Sequence, residues 1–178
     1  MSPEKIHIHH IMAPQKVVSF DLMLGDKYHA QCVNEAYKIG DNMNHSTNVK
    51  ASMTTYHVYE QTSVYNQILA DITGAIKNAP WVNVDQYVYT LHSAWVSIYK
   101  SGDYTVPHIH KPSAVSFCYY IKADENSAPL VFDGTNFSIK PHSGLCVLFD
   151  GNLWHSVPEQ TGSEDRLILA GNYSEDPK

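Results

Sequence analysis

Charge is scarce in this chain. Only 17% of its 178 residues are Asp, Glu, Lys or Arg, against about a quarter in an average soluble protein. The 12 Lys and Arg are outnumbered by 18 Asp and Glu and form no basic stripe that could track phosphates, so nucleic acid is not expected as a partner. Cysteine is equally thin: Cys32, Cys118 and Cys146 make no CxxC pair, and an odd count builds no disulfide framework. That usage fits a reducing compartment, and a cytoplasmic location is expected. No uninterrupted apolar run approaches the ~18–20 residues of a membrane span. The opening MSPEKIHIHHIMAPQK lacks the apolar stretch of a signal peptide, so no membrane association is expected. Repeats, low-complexity tracts and linkers are missing too.

What the chain does have is packing material and histidine. Apolar residues make up 43% of it, with 12 Tyr, 5 Phe and 3 Trp, enough to build one real core and to exclude disorder as the general state. The length fits one domain, 1–178. Within it, 1–80 is read as an N-terminal strand and helices that pack on a sheet, and 81–178 as the β core. Eleven histidines are the one compositional excess, and histidine is the commonest metal ligand.

Residues 5–24 alternate and then run apolar around Pro14, which predicts one or two edge strands. The segment 26–39 carries apolar residues at helical spacing before Gly40, and 63–80 places Val64, Ile68, Leu69, Ile72 and Ile76 on one face, with Ser63 as candidate N-cap. Between them, 41–60 reads as a loop with one short strand at Ser52–Val58. After Pro80 the period changes to two. VDQYVYTLHSAWVSIY, SAVSFCYYI, APLVF, FSIK, GLCVLF and RLILAGNY are short β-branched or aromatic runs bounded by Gly, Pro, Asn and Asp clusters. The expected fold is therefore mainly β with N-terminal helices, an antiparallel sandwich or barrel of the jelly-roll type.

The sharpest local feature is His108-Ile109-His110. In an extended chain residues i and i+2 point to one side, so both imidazoles can reach one ion. Chance alone would give roughly 0.7 such triplets in a chain of 178 residues with 11 histidines, and His7-Ile8-His9 is a second example. What separates them is the sequence downstream of His108: PHSGLCVLFDGNLWHSVPEQTGSEDR carries His155 in a loop after an apolar strand, and its Arg166 opens the next strand. In a jelly roll these strands return beside one another, so a third imidazole can meet the first two.

On these residues the chain resembles the iron(II)- and 2-oxoglutarate-dependent oxygenases, and most of all the small members from bacteria and phages whose motif reads H-x-H-P…SG-x-YY. The resemblance runs from Ala94 to Tyr173 through AWVSIYKSGDYTVPHIH, SFCYYIK, APLVF, PHSGLCVLFDGNLWH and RLILAGNY. It implies a double-stranded β-helix, with His108 and His155 as iron ligands and Arg166, eleven positions after His155, as the anchor of the far 2-oxoglutarate carboxylate. With less force it implies that Tyr120, Tyr99 and Ser116 line the cosubstrate pocket. It further implies a reaction in which 2-oxoglutarate and O2 become succinate and CO2 while a primary substrate, a small molecule or a protein side chain, is hydroxylated.

The sequence departs from the family pattern at His110, which stands where a carboxylate is usual and makes the centre a candidate three-histidine site. Asp103 and Asp150, each five residues before a ligand histidine, are candidates to supply a carboxylate instead. Ile168 replaces the small hydroxyl residue often found two positions after the anchor. Two other readings stay open. A cupin-type three-histidine metalloenzyme without 2-oxoglutarate fits Gly102 and the following His-x-His, although Ala114 and Val115 stand where its glutamate belongs. A non-catalytic jelly-roll binding module would leave the histidines incidental. The remaining histidines, His7, His9, His10, His29, His45, His57, His92 and His142, are expected to be structural or exposed. Trp81, Trp95 and Trp154 are expected in the core, with Trp154 as a candidate pocket wall beside His155.

Overall fold

The computed structural model describes the backbone of residues 6–12, 15–40 and 47–178, and the side chains of 17–40 and 47–178. The reading of His7, His9, His10 and His45 as structural or exposed lies outside the described side chains.

The chain opens with a hairpin, β1 (Ile6–Met12) and β2 (Gln15–Asp21). Helix α1 (Asp26–Gly40) follows, with Asp26 in its first turn and Lys38 in its last, the polarity that suits a helix dipole. Two short strands, β3 (Val49–Lys50) and β4 (Ser52–Met53), lead to the single turn α2 (Val58–Gln61) and to α3 (Asn66–Ala75), which ends in a 3-10 turn at Ile76–Asn78. The apolar spacing of Ile68, Leu69, Ile72 and Ala75 makes α3 a helix with one buried face. It begins later than the spacing alone suggests. Thr62 is extended, its Oγ1 accepts the Val64 amide, and Ser63 offers only its carbonyl, so Tyr65 rather than Ser63 is the N-cap.

The β part then runs β5 (Tyr87–Tyr99), β6 (Tyr104–His108), β7 (Val115–Lys122), β8 (Leu130–Phe132), β9 (Phe137–Ile139), β10 (Leu145–Asp150), β11 (His155–Val157) and β12 (Arg166–Pro177). These strands and the earlier ones form two antiparallel sheets, a larger one in the order β1-β2-β10-β7-β12-β5-β4 and a smaller one in the order β3-β6-β11-β8-β9. Together they make a double-stranded β-helix. Two of the eight, β6 and β11, carry no alternating apolar text and add to the six strands that the sequence pattern predicts.

Strand parity divides the core. On β7, Val115, Phe117, Tyr119 and Ile121 point to the helix layer, where Tyr65, Ile68 and Ile72 are fully buried; Cys118 and Tyr120 point between the sheets. β12 repeats this with Leu167 and Leu169 against Ile168 and Ala170, and β5 with Val96 and Ile98 against Trp95 and Tyr99. Where these strands are covered on both faces, as along all of β7 but Lys122 and the 94–99 half of β5, nearly every residue is buried whichever side it points to. Among the described residues no helix is long and apolar enough to cross a membrane.

Candidate metal and anion site

The inner face of the larger sheet has a direction. β12 and β5 pair in register as Arg166 with Tyr99, Ile168 with Ser97, Ala170 with Trp95, and Asn172 with Ser93. From Arg166 to Asn172 is six residues of strand, or ~20 Å. One end is therefore cationic and aromatic, the middle apolar, and the other end amide and hydroxyl.

Across from it, the smaller sheet supplies the histidines. His155 on β11 stands opposite His108 on β6. His110 lies just beyond β6, where its backbone amide donates to the Gly151 carbonyl at 2.8 Å and its carbonyl accepts the Ser113 amide at 2.7 Å. One ring nitrogen of each imidazole falls within 4.8 Å of the others. The ring centroids are 4.2 Å apart for His108 and His155, 4.8 Å for His108 and His110, and 4.9 Å for His110 and His155. His108 and His155 each donate Nδ1–H to a backbone carbonyl two residues earlier, Val106 and Leu153, both at 2.9 Å. A carbonyl only accepts, so the proton sits on Nδ1 and the Nε2 lone pair is free for an ion.

Burial holds the three imidazoles neutral. It lowers His155 to about 3, with His108 adding to the effect, and His110 lower still, where His155, His108 and His92 add to it. His108 is lowered less, because the Val106 carbonyl and Asp133 favour its charged form. Neutral imidazole is the ligating state, so this donor set suits a divalent ion.

No carboxylate joins them within the described residues. Asp103 accepts the Lys100 amide at 2.7 Å and closes the 100–103 turn, while Asp150 accepts the Asn152 amide and side chain at 2.8 and 2.9 Å. Both are thus held by their own turns, and neither joins the histidine group as the alternative carboxylate.

At the far end, Arg166 is fully buried, and among the described residues none of its three guanidinium nitrogens has a hydrogen-bond partner. Its Cζ lies 4.6 Å from the Tyr99 ring centroid and 5.0 Å from that of Tyr120. The Tyr120 hydroxyl is likewise buried without a partner; the Tyr99 hydroxyl bonds Thr105 Oγ1 at 2.7 Å. A buried, unpaired cation costs several kcal/mol, which an anion with two oxygens would offset. An internal cavity of about 40 Å³ connects the two halves: His108, His110, His155 and Arg166 all line it, with Phe149 and Ile168 among its apolar walls.

An outer pocket of about 420 Å³ is lined by two of these histidines, His108 and His110. Trp95, His108 and His110 line both spaces. Ser116 does not reach the wall around Arg166. Its hydroxyl donates to Asn172 Oδ1 at 2.8 Å, and Asn172 Nδ2 donates to Ser93 Oγ at 3.1 Å, on the floor of the outer pocket. Trp154, expected in the core, is 54% exposed; the wall is Trp95, 5% exposed, whose ring lies 5.8 Å from His110. His57 and His92, expected as bystanders, line the outer pocket too. Parity from Tyr99 could have found Trp95 and Ser93, but no sequence signal marks Thr105, His57 or His92.

No protein-family model and no curated protein matches the chain. Solved structures do. A viral collagen prolyl hydroxylase from Paramecium Bursaria Chlorella virus-1, in complex with 2-oxoglutarate, superposes with a TM-score of 0.67 at 16% identity, over 88% of this chain and 94% of that one. SnoN, a non-heme α-ketoglutarate-dependent epimerase from nogalamycin biosynthesis, gives 0.71 at 12% identity, over 88% and 76%. HygX from Streptomyces hygroscopicus, with nickel and 2-oxoglutarate bound, gives 0.64 at 11%, over 89% and 82%. At these identities the likeness establishes the fold, a double-stranded β-helix.

Proposed function

We propose that this protein is an iron(II)- and 2-oxoglutarate-dependent dioxygenase that hydroxylates its substrate with release of succinate and CO2. The observation that carries the reading is Arg166: a fully buried guanidinium without a hydrogen-bond partner, in the same cavity as three neutral imidazoles. A dicarboxylate with a 2-oxo acid at one end matches that cavity at both ends. His108, His110 and His155 would hold the iron through their ring nitrogens. Arg166 would take the far carboxylate bidentately, with the Tyr120 hydroxyl as a further donor. Tyr99 would stack on the guanidinium and, tied to Thr105, keep it in place.

Three imidazoles bring no charge, so a divalent ion keeps both of its positive charges and Arg166 adds a third; the two carboxylates of 2-oxoglutarate offset two of the three in a site of low dielectric. Bound iron(II) would supply the oxygen chemistry that couples decarboxylation of the cosubstrate to oxidation of a C–H bond. The chain's own part is to orient and to exclude water. Phe149, Leu130, Val157 and Ile168 wall the cavity apolarly, and the Val106 and Leu153 carbonyls fix two of the ligand rings. A reducing, cytoplasmic setting suits ferrous iron and three free buried cysteines.

Arg166 also separates this reading from a cupin that does without 2-oxoglutarate and from a binding module, neither of which calls for a buried cation at the closed end. The test is an anaerobic titration of the metal-free protein with iron(II) and then 2-oxoglutarate, run beside Arg166→Ala. The weak visible charge-transfer band of a chelated 2-oxo acid should appear in the parent protein, and in the variant only at much higher 2-oxoglutarate. Iron binding without the band would favour the cupin reading, and no iron binding would leave the binding module.

A further inference from the structure

The outer pocket has a chemical bias of its own. Among its described lining residues there is no Asp or Glu, in a chain where acidic residues outnumber basic ones 18 to 12. It has one ammonium, on exposed Lys111. The indole Nε1–H of Trp95, a residue 5% exposed, is buried without a hydrogen-bond partner on the wall shared by the two spaces. Tryptophan can only donate there, and a buried donor without an acceptor costs about 1–3 kcal/mol.

The floor continues the pattern. Asn172, 6% exposed, accepts from Ser116 and gives one amide hydrogen to Ser93, 7% exposed. Among the described residues neither its second amide hydrogen nor the Ser93 hydroxyl hydrogen meets an acceptor, which leaves both as donors. A pocket that offers donors and one positive charge, beside the edge-to-face pair of Trp95 and Tyr56 at 5.4 Å, selects for acceptors on its ligand. A single ammonium without an arginine fork matches a monoanion better than a phosphate.

We propose that the outer pocket receives a substrate bearing a carboxylate, whose oxygens accept from the Trp95 indole N–H and the donors of Ser93 and Asn172 and face the Lys111 ammonium. This rests on the oxygenase reading for the identity of the site as a substrate site. The competing source of the same chemistry is the cosubstrate, which carries carboxylates and could itself take the Trp95 donor.

The experiment follows the ¹⁵N indole resonances of the protein held with zinc(II), a diamagnetic ion, and saturating 2-oxoglutarate. Trp95→Phe identifies the Trp95 peak among the three tryptophans. Benzoate and benzamide, alike in shape and different in charge, are titrated in turn. Benzoate is expected to move the Trp95 peak saturably at a concentration at least tenfold below benzamide. Lys111→Gln should raise the benzoate midpoint about tenfold. Equal midpoints for the two probes would overturn the proposal. So would a Trp95 peak already shifted to saturation by 2-oxoglutarate, with nothing added by benzoate. Failure of the oxygenase reading looks different: 2-oxoglutarate would show no Arg166-dependent binding while the Lys111-dependent benzoate shift persisted.

Discussion

His155 and His108 face one another across the β11–β6 pair, and each uses its Nδ1 proton on the carbonyl two residues before it. The two rings are thus fixed in one tautomer by backbone alone. His155→Ala should lower iron(II) or nickel(II) affinity at least a hundredfold, because it removes a ligand and leaves two. His110→Asp should keep metal binding, since that position has no such tether and a carboxylate is an equally good ligand there. Calorimetric titration of both variants, with circular dichroism to verify the fold, checks the pair; undiminished affinity in His155→Ala would remove it from the metal site.

The metal-free protein should lose stability as pH falls below about 6.5. His110 and His155 are depressed in the folded state mainly by burial, so below the unfolded value of ~6.5 the unfolded chain binds protons that the folded one does not. The stability these groups contribute is complete above that pH and declines toward pH 3, by up to about 1.4 kcal/mol per pH unit for each imidazole. Urea midpoints between pH 7.5 and 4.5 measure the slope. A saturating metal ion, which binds the neutral rings of the folded protein, should raise stability across this range.

Arg166→Met should do two opposite things. Removing a buried charge that has no ion-pair partner and keeping its bulk should stabilise the ligand-free protein, while 2-oxoglutarate affinity should fall by roughly 2–5 kcal/mol for lack of its partner. Thermal melts with and without 2-oxoglutarate show both effects. A variant less stable than the parent without ligand would mean that the guanidinium is already neutralised by something else.

Gly151→Ala is the positioning test. A Cβ at Gly151 would run into the Ser113 carbonyl, on the turn whose His110 amide bonds the Gly151 carbonyl. Displacing that turn shifts His110 away from its two partners. Metal affinity should fall tenfold or more, with a loss of about 1–3 kcal/mol in stability, the usual cost of forced backbone shifts in a packed site. Parent-like metal affinity in a folded variant would show that the turn yields at no cost to His110.

The strands that were easiest to read are those buried on both faces, β5, β7, β10 and β12, whose burial forces continuous apolar text. The strands that hold two of the three imidazoles are the least readable: β6 is YTVPH and β11 is HSV, five and three residues paired at a short register. Their conformation comes from neighbours rather than from their own propensities. The three histidines and Arg166 were legible as an order of residues, yet the feature that gives Arg166 its meaning, three nitrogens without a partner, exists only once every neighbour has been placed. Asp103 and Asp150, the alternative candidates, show the opposite case. Nearness in sequence to a ligand suggested a role, and each carboxylate is held by its own turn. Trp154 follows from the same geometry: next to an inward His155 on a strand, it must face out.

Tyr119 and Tyr120 are adjacent in the chain and live in different compartments, one in the helix-side core and the other beside Arg166. β7 is in effect two interleaved messages, and a substitution on one leaves the other legible. A single inserted or deleted residue has no such tolerance. It would exchange the two faces along the rest of the strand, set Tyr120 among the helices and Tyr119 over the guanidinium, and damage scaffold and site in one event.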